Sequence, residues 1–293
     1  MLAKRHRASK LRVHDTLGNI KHLAGLILEN KNVVFLSGAG LSCASGIPPF
    51  RGRKDAIWSN SLYEWGTKEK FLENPVKWYE DFFFKHFLVI HHSKPNTGHH
   101  AIAEITGNFP NCKVITQNID LLHSHEQSQI PSSNLIEIHG NVSSFRCFTK
   151  TCIYSNKKTI HKSEPVTKIQ DIPNCPECGT ICCPNTLLFD EEYNDHEFYQ
   201  FEQAIKWLEE ADAIVFVGTS FSVGITTFAF EAAQERIVND LFIELFNFNI
   251  DDTKPRAKAV DVTYNFIDGL CENTLQNLKE ELWKQTVNPY HSH

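Results

Sequence analysis

Two cysteine pairs and a few polar residues at fixed intervals carry the chemistry legible in this sequence. Cys147 and Cys152 are separated by four residues, Cys175 and Cys178 by two, and 22 residues lie between the pairs. Short-spaced pairs across such a gap suit a tetrahedral thiolate zinc site with Zn–S bonds near ~2.3 Å. Pro176 and Gly179 favour a tight knuckle around the second pair. Four cysteine ligands leave no position for water, so the one zinc per chain is expected to be structural. Cys182 and Cys183 adjoin the set, and either could replace a ligand, though neither keeps the two-residue spacing to Cys175. Unliganded buried thiols are the bland alternative. Nine cysteines, an odd number, fit metal binding better than disulfides in a chain with no apolar secretory leader.

A second group follows an apolar run, Val33 to Leu36. Gly38-Ala39-Gly40 permits a sharp turn there, and backbone N–H groups at such a turn can approach an anionic ligand. Alone, this could be just a tight turn, and a full GxGxxG is not met because residue 43 is Cys. Pro48-Pro49-Phe50-Arg51 then adds a rigid elbow, an aromatic and a guanidinium. His139 offers an imidazole that titrates near neutral pH, although a lone His after a strand is more often structural. Asn118 and Asp120 by themselves could be loop caps.

The elements that must position these residues alternate between strand and helix. Residues 16–30 carry apolar side chains at helical spacing and lead into the strand at 33–36. Ser42 or Ser45 could start the next helix. Residues 52–95 read as helical and aromatic-rich, a packed subdomain. Helices are expected at 97–107, with Thr97 as a cap, at 225–236 and at 272–285. Strands are expected at 113–116, 135–138, 213–217 and 241–248. Polar residues gather at the C-terminal end of every one of these strands, which is the edge where an open α/β sheet binds ligands.

The length of 293 residues suits one large domain carrying an inserted module, and 41% hydrophobic residues supply a substantial core. A net charge of −6 argues against a broadly nucleic-acid-binding surface. No apolar run approaches the roughly 18 residues of a membrane helix. The N-terminus is basic, with Lys4, Arg5, Arg7, Lys10 and Arg12 before the first acid, Asp15. It reads as a flexible tail, with a transit peptide or a localisation patch as alternatives. The expected location is intracellular: cytoplasmic or nuclear, with the mitochondrion as the further option.

Taken together, GAGLSCASGIPPFR (38–51), TQNIDLLH (116–123), IHGN (138–141), the four cysteines, GTSFSV (218–223) and NID (249–251) resemble the sirtuins, the NAD-dependent protein deacylases. The motifs run in the family's order over roughly residues 16 to 280. The resemblance implies a Rossmann-like parallel sheet with helices on both faces, plus a smaller domain built from a helical and a zinc module. It implies a basic tail at 1–15, a catalytic domain at 16–285 and a C-terminal tail at 286–293. The Rossmann part would comprise about 16–51, 96–145 and 184–285, with insertions at 52–95 and 146–183.

By the same resemblance NAD would lie along Gly38, Ala39, Gly40 and Ser42, with its pyrophosphate near the glycines and Gly218, Thr219 and Ser220. Pro49 and Phe50 would face the nicotinamide pocket, and Arg51 would order the phosphate side. Gln117, Asn118, Ile119 and Asp120 would line nicotinamide and its ribose. Asn249 would meet the adenosine ribose, and Cys271 would lie near adenine. His139 would be the base that activates a ribose hydroxyl, with Asn118 and Asp120 completing the catalytic set. The partner would be an acylated-lysine protein or peptide, bound by the strand TLLFDEEY (186–193) through Leu187, Leu188, Phe189, Asp190 and Glu191. Lysine would be deacylated, with release of nicotinamide and O-acyl-ADP-ribose.

The chain departs from the family at several points. Pro49 stands where Asp is usual, Cys183 where a basic residue is common, and Asp190 where Gly is usual. The Pro usually found shortly after GTS is absent. An acidic Asp190 at the substrate edge is expected to hinder some peptides or favour basic ones. Residues 53–59 (RKDAIWS) lack the Tyr-x-x-Arg pair of members that prefer acidic acyl groups, so neutral acyl groups are expected over succinyl. Two other readings remain: an ADP-ribosyltransferase or NAD glycohydrolase on the same scaffold, or a non-catalytic NAD-sensing zinc scaffold.

Overall fold

A computed structural model describes residues 15–49, 60–222, 224–252 and 264–287. The strands of the main sheet are β1 (Val33–Ser37), β2 (Cys112–Thr116), β3 (Leu135–Glu137), β7 (Ala213–Val217), β8 (Glu244–Asn249) and β9 (Asn265–Asp268). Between β3 and β7 the chain adds β4 (Gly140–Arg146), β5 (Ile160–His161) and β6 (Cys183–Thr186). The main sheet is wholly parallel in the order β3-β2-β1-β7-β8-β9. The chain therefore winds outward from β1 in one direction and returns to continue from β7 in the other. The crevice between the ends of β1 and β7 is the topological switch point where such sheets bind ligands.

All five residues of β1 and of β7 are buried, because a parallel sheet is covered on both faces and its strands read as continuous apolar runs. Alternate residues enter different cores. Val33, Phe35, Val114, Val215 and Phe246 join α1 (Thr16–Leu28) and the helices at Thr97–Asn108 and Cys271–Val287 on one face. Val34, Leu36, Ile115, Ile214 and Phe216 join the helices Phe201–Glu210 and Gly224–Val238 on the other. Asn96, not Thr97, caps the helix at 97–108, its side chain accepting from Gly98 N–H at 2.9 Å. The turn after β1 enters the short helix α2 (Ala39–Ser42) from Gly38, so neither Ser42 nor Ser45 starts it.

The smaller domain has its own core. Short helices run from Asn60 to His92, with a π-turn at Tyr79–Phe83, and pack Phe71, Trp78, Tyr79 and Phe83 against Phe145, Cys147, Cys152 and Cys175. Its sheet is antiparallel in the order β5-β4-β6. The strand expected at 186–193 lies earlier, at Cys183–Thr186. Beyond Thr186 the chain turns, because Glu191 is drawn inward to a buried ion pair with Arg146 and its carboxylate accepts from Leu188 N–H at 3.2 Å.

The pairing of β1 with β7 continues past the strand ends into the turns at the switch point. Gly40 N–H donates to the Gly218 carbonyl at 2.8 Å, and Gly38 N–H to that of Val217 at 2.9 Å. Gly218 has φ +57°, and a Cβ there would lie 2.5 Å from the Leu41 nitrogen and 2.7 Å from the Gly40 carbonyl carbon. Both obstacles are backbone and cannot step aside. Gly218→Ala is therefore expected to destabilise the fold by more than about 2 kcal/mol. A urea midpoint unchanged from wild type would contradict that expectation.

Candidate active site

The polar residues expected at the strand ends converge at the switch point. At the end of β2, Asn118 N–H donates to Thr116 Oγ1 at 3.1 Å, and its side-chain amide donates to the Gly38 carbonyl and Ser42 Oγ, both at 3.1 Å. Ser42 Oγ in turn donates to Asp120 Oδ2 at 2.6 Å. Asp120 also accepts from Leu122 N–H at 3.0 Å, a turn in which Leu121 takes φ +64°. A non-glycine residue held there marks a loop fixed by its surroundings. Burial raises the Asp120 carboxyl, and the Ser42 hydroxyl partly offsets the shift. Asn118 and Asp120 are both buried.

A cavity of about 340 Å³ opens beside this network. It is lined by Ala39, Ser42 and Pro48, by Asn118 and Asp120, and by Phe87 of the helical module. The lining is largely apolar, with the Asn118 amide and the Asp120 carboxylate as its amide and acid groups, the make-up of a small-molecule site. Pro49 adjoins it and is part-exposed, whereas Phe50, Arg51 and residues 53–59 lie outside the described residues.

His139 follows β3 and precedes Gly140, whose φ of +68° turns the chain into the second sheet. A Cβ at 140 would sit 1.7 Å from the Asn185 carbonyl oxygen, so only glycine lets β4 meet β6 there. His139 is thus held at the junction of the two domains. Its Nδ1 lies 2.8 Å from the Gln117 carbonyl, an acceptor only, so Nδ1 carries the proton and Nε2 the lone pair. Burial pushes the imidazole down to about 4, with the Gln117 carbonyl opposing. A histidine depressed in this way stabilises the fold above pH 6.5, and that contribution is lost as pH falls from 6.5 toward about 4. It follows that Nε2 is unprotonated at neutral pH and can accept a proton.

The other expected contacts gather at the same edge. Gln117 Nε2 reaches the Ser37 carbonyl at 3.3 Å and Thr219 Oγ1 at 3.5 Å. Asn249 Nδ2 donates to the Thr219 carbonyl at 2.9 Å, and Cys271 Sγ approaches the Phe248 carbonyl at 3.5 Å. Ser220 is exposed, its hydroxyl 2.6 Å from that of Ser222. Ile119 lines the cavity and also packs with Leu122 into the core of the smaller domain.

In the segment after β6, Leu187 N–H donates to the His139 carbonyl at 2.9 Å, and Phe189 is exposed beside the Tyr63 ring at 4.8 Å. The expected Asp190 obstacle takes a different form. Its carboxylate accepts from Lys68 N–H at 2.7 Å and Glu69 N–H at 3.1 Å, docking the helix at Lys68–Glu73. Leu188 and the Glu191 side chain are buried in the smaller domain. Tyr193, whose hydroxyl lies 3.3 Å from His139 Nε2, joins the site without a signal in the sequence. Nothing in local spacing links residues 54 positions apart.

The sulfurs of Cys147, Cys152, Cys175 and Cys178 all lie within 4.8 Å of one another, with Cys147–Cys178 at 3.4 Å and Cys152–Cys175 at 3.5 Å. A tetrahedron with ~2.3 Å Zn–S bonds places its sulfurs about 3.8 Å apart, so the set fits zinc. Cys182 and Cys183 are buried outside that set. Gly179, at φ +74°, donates its N–H to the Cys175 carbonyl at 2.9 Å and closes the knuckle.

Comparison with known proteins adds a second line of support. A model of the Sir2 family matches residues 38–224. The chain is 39% identical over 247 residues to the NAD-dependent deacetylase sir2E of Dictyostelium discoideum, covering 78% of this chain and 68% of that one. It is 37% identical over 202 residues to an NAD-dependent protein deacylase of Pyrococcus abyssi, covering 69% of this chain and 76% of the relative. A solved Sir2 homologue mutant in complex with ADP ribose superimposes with a TM-score of 0.71 at 26% identity, over 91% of this chain and 97% of that one. Among the described residues, no helix is long and apolar enough to cross a membrane.

Proposed function

The chain belongs to the Sir2 family, and from that premise we propose that its cleft removes acyl groups from protein lysine in an NAD-dependent reaction. NAD supplies the electrophile, a ribose C1′ whose bond to nicotinamide breaks as the acyl oxygen of the substrate takes its place. The protein's own groups do the rest. Ser42, Asn118 and Asp120 form one hydrogen-bonded wall of the pocket and hold the nicotinamide side in a fixed orientation. Gly38, Gly40 and Gly218 bring backbone close to the phosphates, with Thr219, Asn249 and Cys271 along the adenosine side.

His139 is the general base. The Gln117 carbonyl holds its Nδ1 proton, and Nε2 receives the proton of a ribose hydroxyl as that oxygen attacks the acyl carbon. The 2.8 Å contact of Nδ1 with the Gln117 carbonyl, which leaves Nε2 as the basic atom, is the observation that carries the reading. Zinc, held by the four cysteines, stabilises the smaller domain and takes no part in proton transfer. The acylated-lysine segment enters beside Leu187 and Phe189, at the junction of the two domains. The supporting experiment is NAD-dependent deacylation of an acetyl-lysine peptide, with the ester product identified by mass. Acetyl-, myristoyl- and succinyl-lysine peptides compared side by side rank the acyl groups, and faster succinyl removal would contradict the expected neutral preference.

A further inference from the structure

The His139 lone pair is in contact with one hydroxyl, that of Tyr193, at 3.3 Å. Because Nδ1 donates to Gln117, Nε2 can only accept, and Tyr193 O–H is therefore the donor. The same hydroxyl oxygen accepts from Ile225 N–H at 3.1 Å, in the first turn of the helix Gly224–Val238. The Tyr193 ring is stacked on the imidazole at 5.9 Å and 17°, and on Phe201 at 5.1 Å and 8°. Gly224 closes over it: a Cβ there would lie 3.3 Å from Tyr193 Cε2. Both the ring and the hydroxyl are thus oriented, and the donor is aimed at the nitrogen that must receive the ribose proton.

We propose that Tyr193 is a positioning residue that caps the base in the free enzyme, its hydroxyl occupying His139 Nε2 until a ribose hydroxyl of NAD replaces it. This rests on the reading of His139 as the base. At 3.3 Å the contact is at the long end of hydrogen-bond distances, so exchange for a shorter bond favours the ligand. Tyr193 keeps its own proton throughout and keeps its bond from Ile225. The proton that reaches Nε2 during reaction comes from the ribose. NAD binding accordingly works against one weak hydrogen bond.

The test uses the zinc-loaded full chain. Tyr193→Phe retains the ring stack and removes the donor. Its dissociation constant for NAD, measured by calorimetry without peptide, is expected to fall by about three- to tenfold, the worth of one net hydrogen bond. The gain should appear in kcat/KM for NAD and not in kcat. Replacement of Tyr193 by 3-fluorotyrosine, a stronger donor of nearly the same shape, should weaken NAD binding instead. Opposite signs in the two variants exclude a packing defect, and the second decides the matter if loss of the Ile225 acceptor unfolds the first. The proposal is overturned if neither variant changes NAD affinity, or if Tyr193→Phe loses tenfold or more in kcat with affinity unchanged, the mark of a proton relay. Failure of the base assignment looks different, since His139→Ala would then turn over normally or lose turnover and NAD affinity equally.

Discussion

His139→Ala is expected to lower formation of O-acyl-ADP-ribose by about 10²–10⁴-fold, the usual contribution of a positioned general base. The size follows from the geometry. Nδ1 is fixed by the Gln117 carbonyl at 2.8 Å, so Nε2 is the single basic atom that the ring can offer. Burial lowers the imidazole pKa, so Nε2 is free of a proton at neutral pH. Alanine removes the lone pair and leaves the pocket wall of Ser42, Asn118 and Asp120 intact. NAD affinity should therefore change far less than turnover. The pair of measurements is steady-state deacylation and calorimetric NAD binding. Equal losses in both would mean that His139 shapes the pocket and does not act as a base.

Loss of zinc is expected to have a comparably large effect by a different route. Cys147, Cys152 and Cys175 share one core with Phe71, Trp78 and Tyr79 of the helical module and with Ile119 and Leu122 of the catalytic loop. Once the ion is gone the four sulfurs take up protons, and the bonds that tie the two cysteine pairs together are lost. The smaller domain should then loosen and release the loop that holds Asn118 and Asp120. Cys175→Ser is expected to bring bound zinc from one per chain toward none and to reduce deacylation at least about tenfold. Because the metal's binding free energy is part of the folding free energy, the melting temperature should fall. The parallel sheet has separate cores and should keep its helical signal. Full activity in zinc-free protein would contradict this account.

Much of the site was legible in the sequence because it is built from local turn chemistry. Gly38, Asn118, Asp120 and His139 lie just beyond the ends of β1, β2 and β3, and the apolar runs before them identify those strands. The two close cysteine pairs were legible from their spacing, and the structure groups Cys147, Cys152, Cys175 and Cys178 and leaves Cys182 and Cys183 outside. The segment after Thr186 was not. Its apolar Leu187-Leu188-Phe189 imitates a strand, while Pro184 weakens the true one, and β6 tolerates that proline as an edge of its sheet. What bends the chain is Arg146, 45 residues from Glu191 in sequence, pulling the carboxylate inward. Asp190 illustrates the same limit. Read locally it is an acid at a substrate edge, yet in the fold its oxygens dock the helix at Lys68–Glu73. Tyr193 meets His139 only because the helix at 224–238 and Phe201 hold its ring in place.

The most direct measurement incubates the protein with an acetyl-lysine peptide, with and without NAD, and follows all products by mass spectrometry. The account predicts deacetylated peptide, nicotinamide and O-acetyl-ADP-ribose in equal amounts, and none of the three without NAD. Nicotinamide released at the same rate without peptide, or ADP-ribose attached to protein in place of the acyl ester, would contradict it.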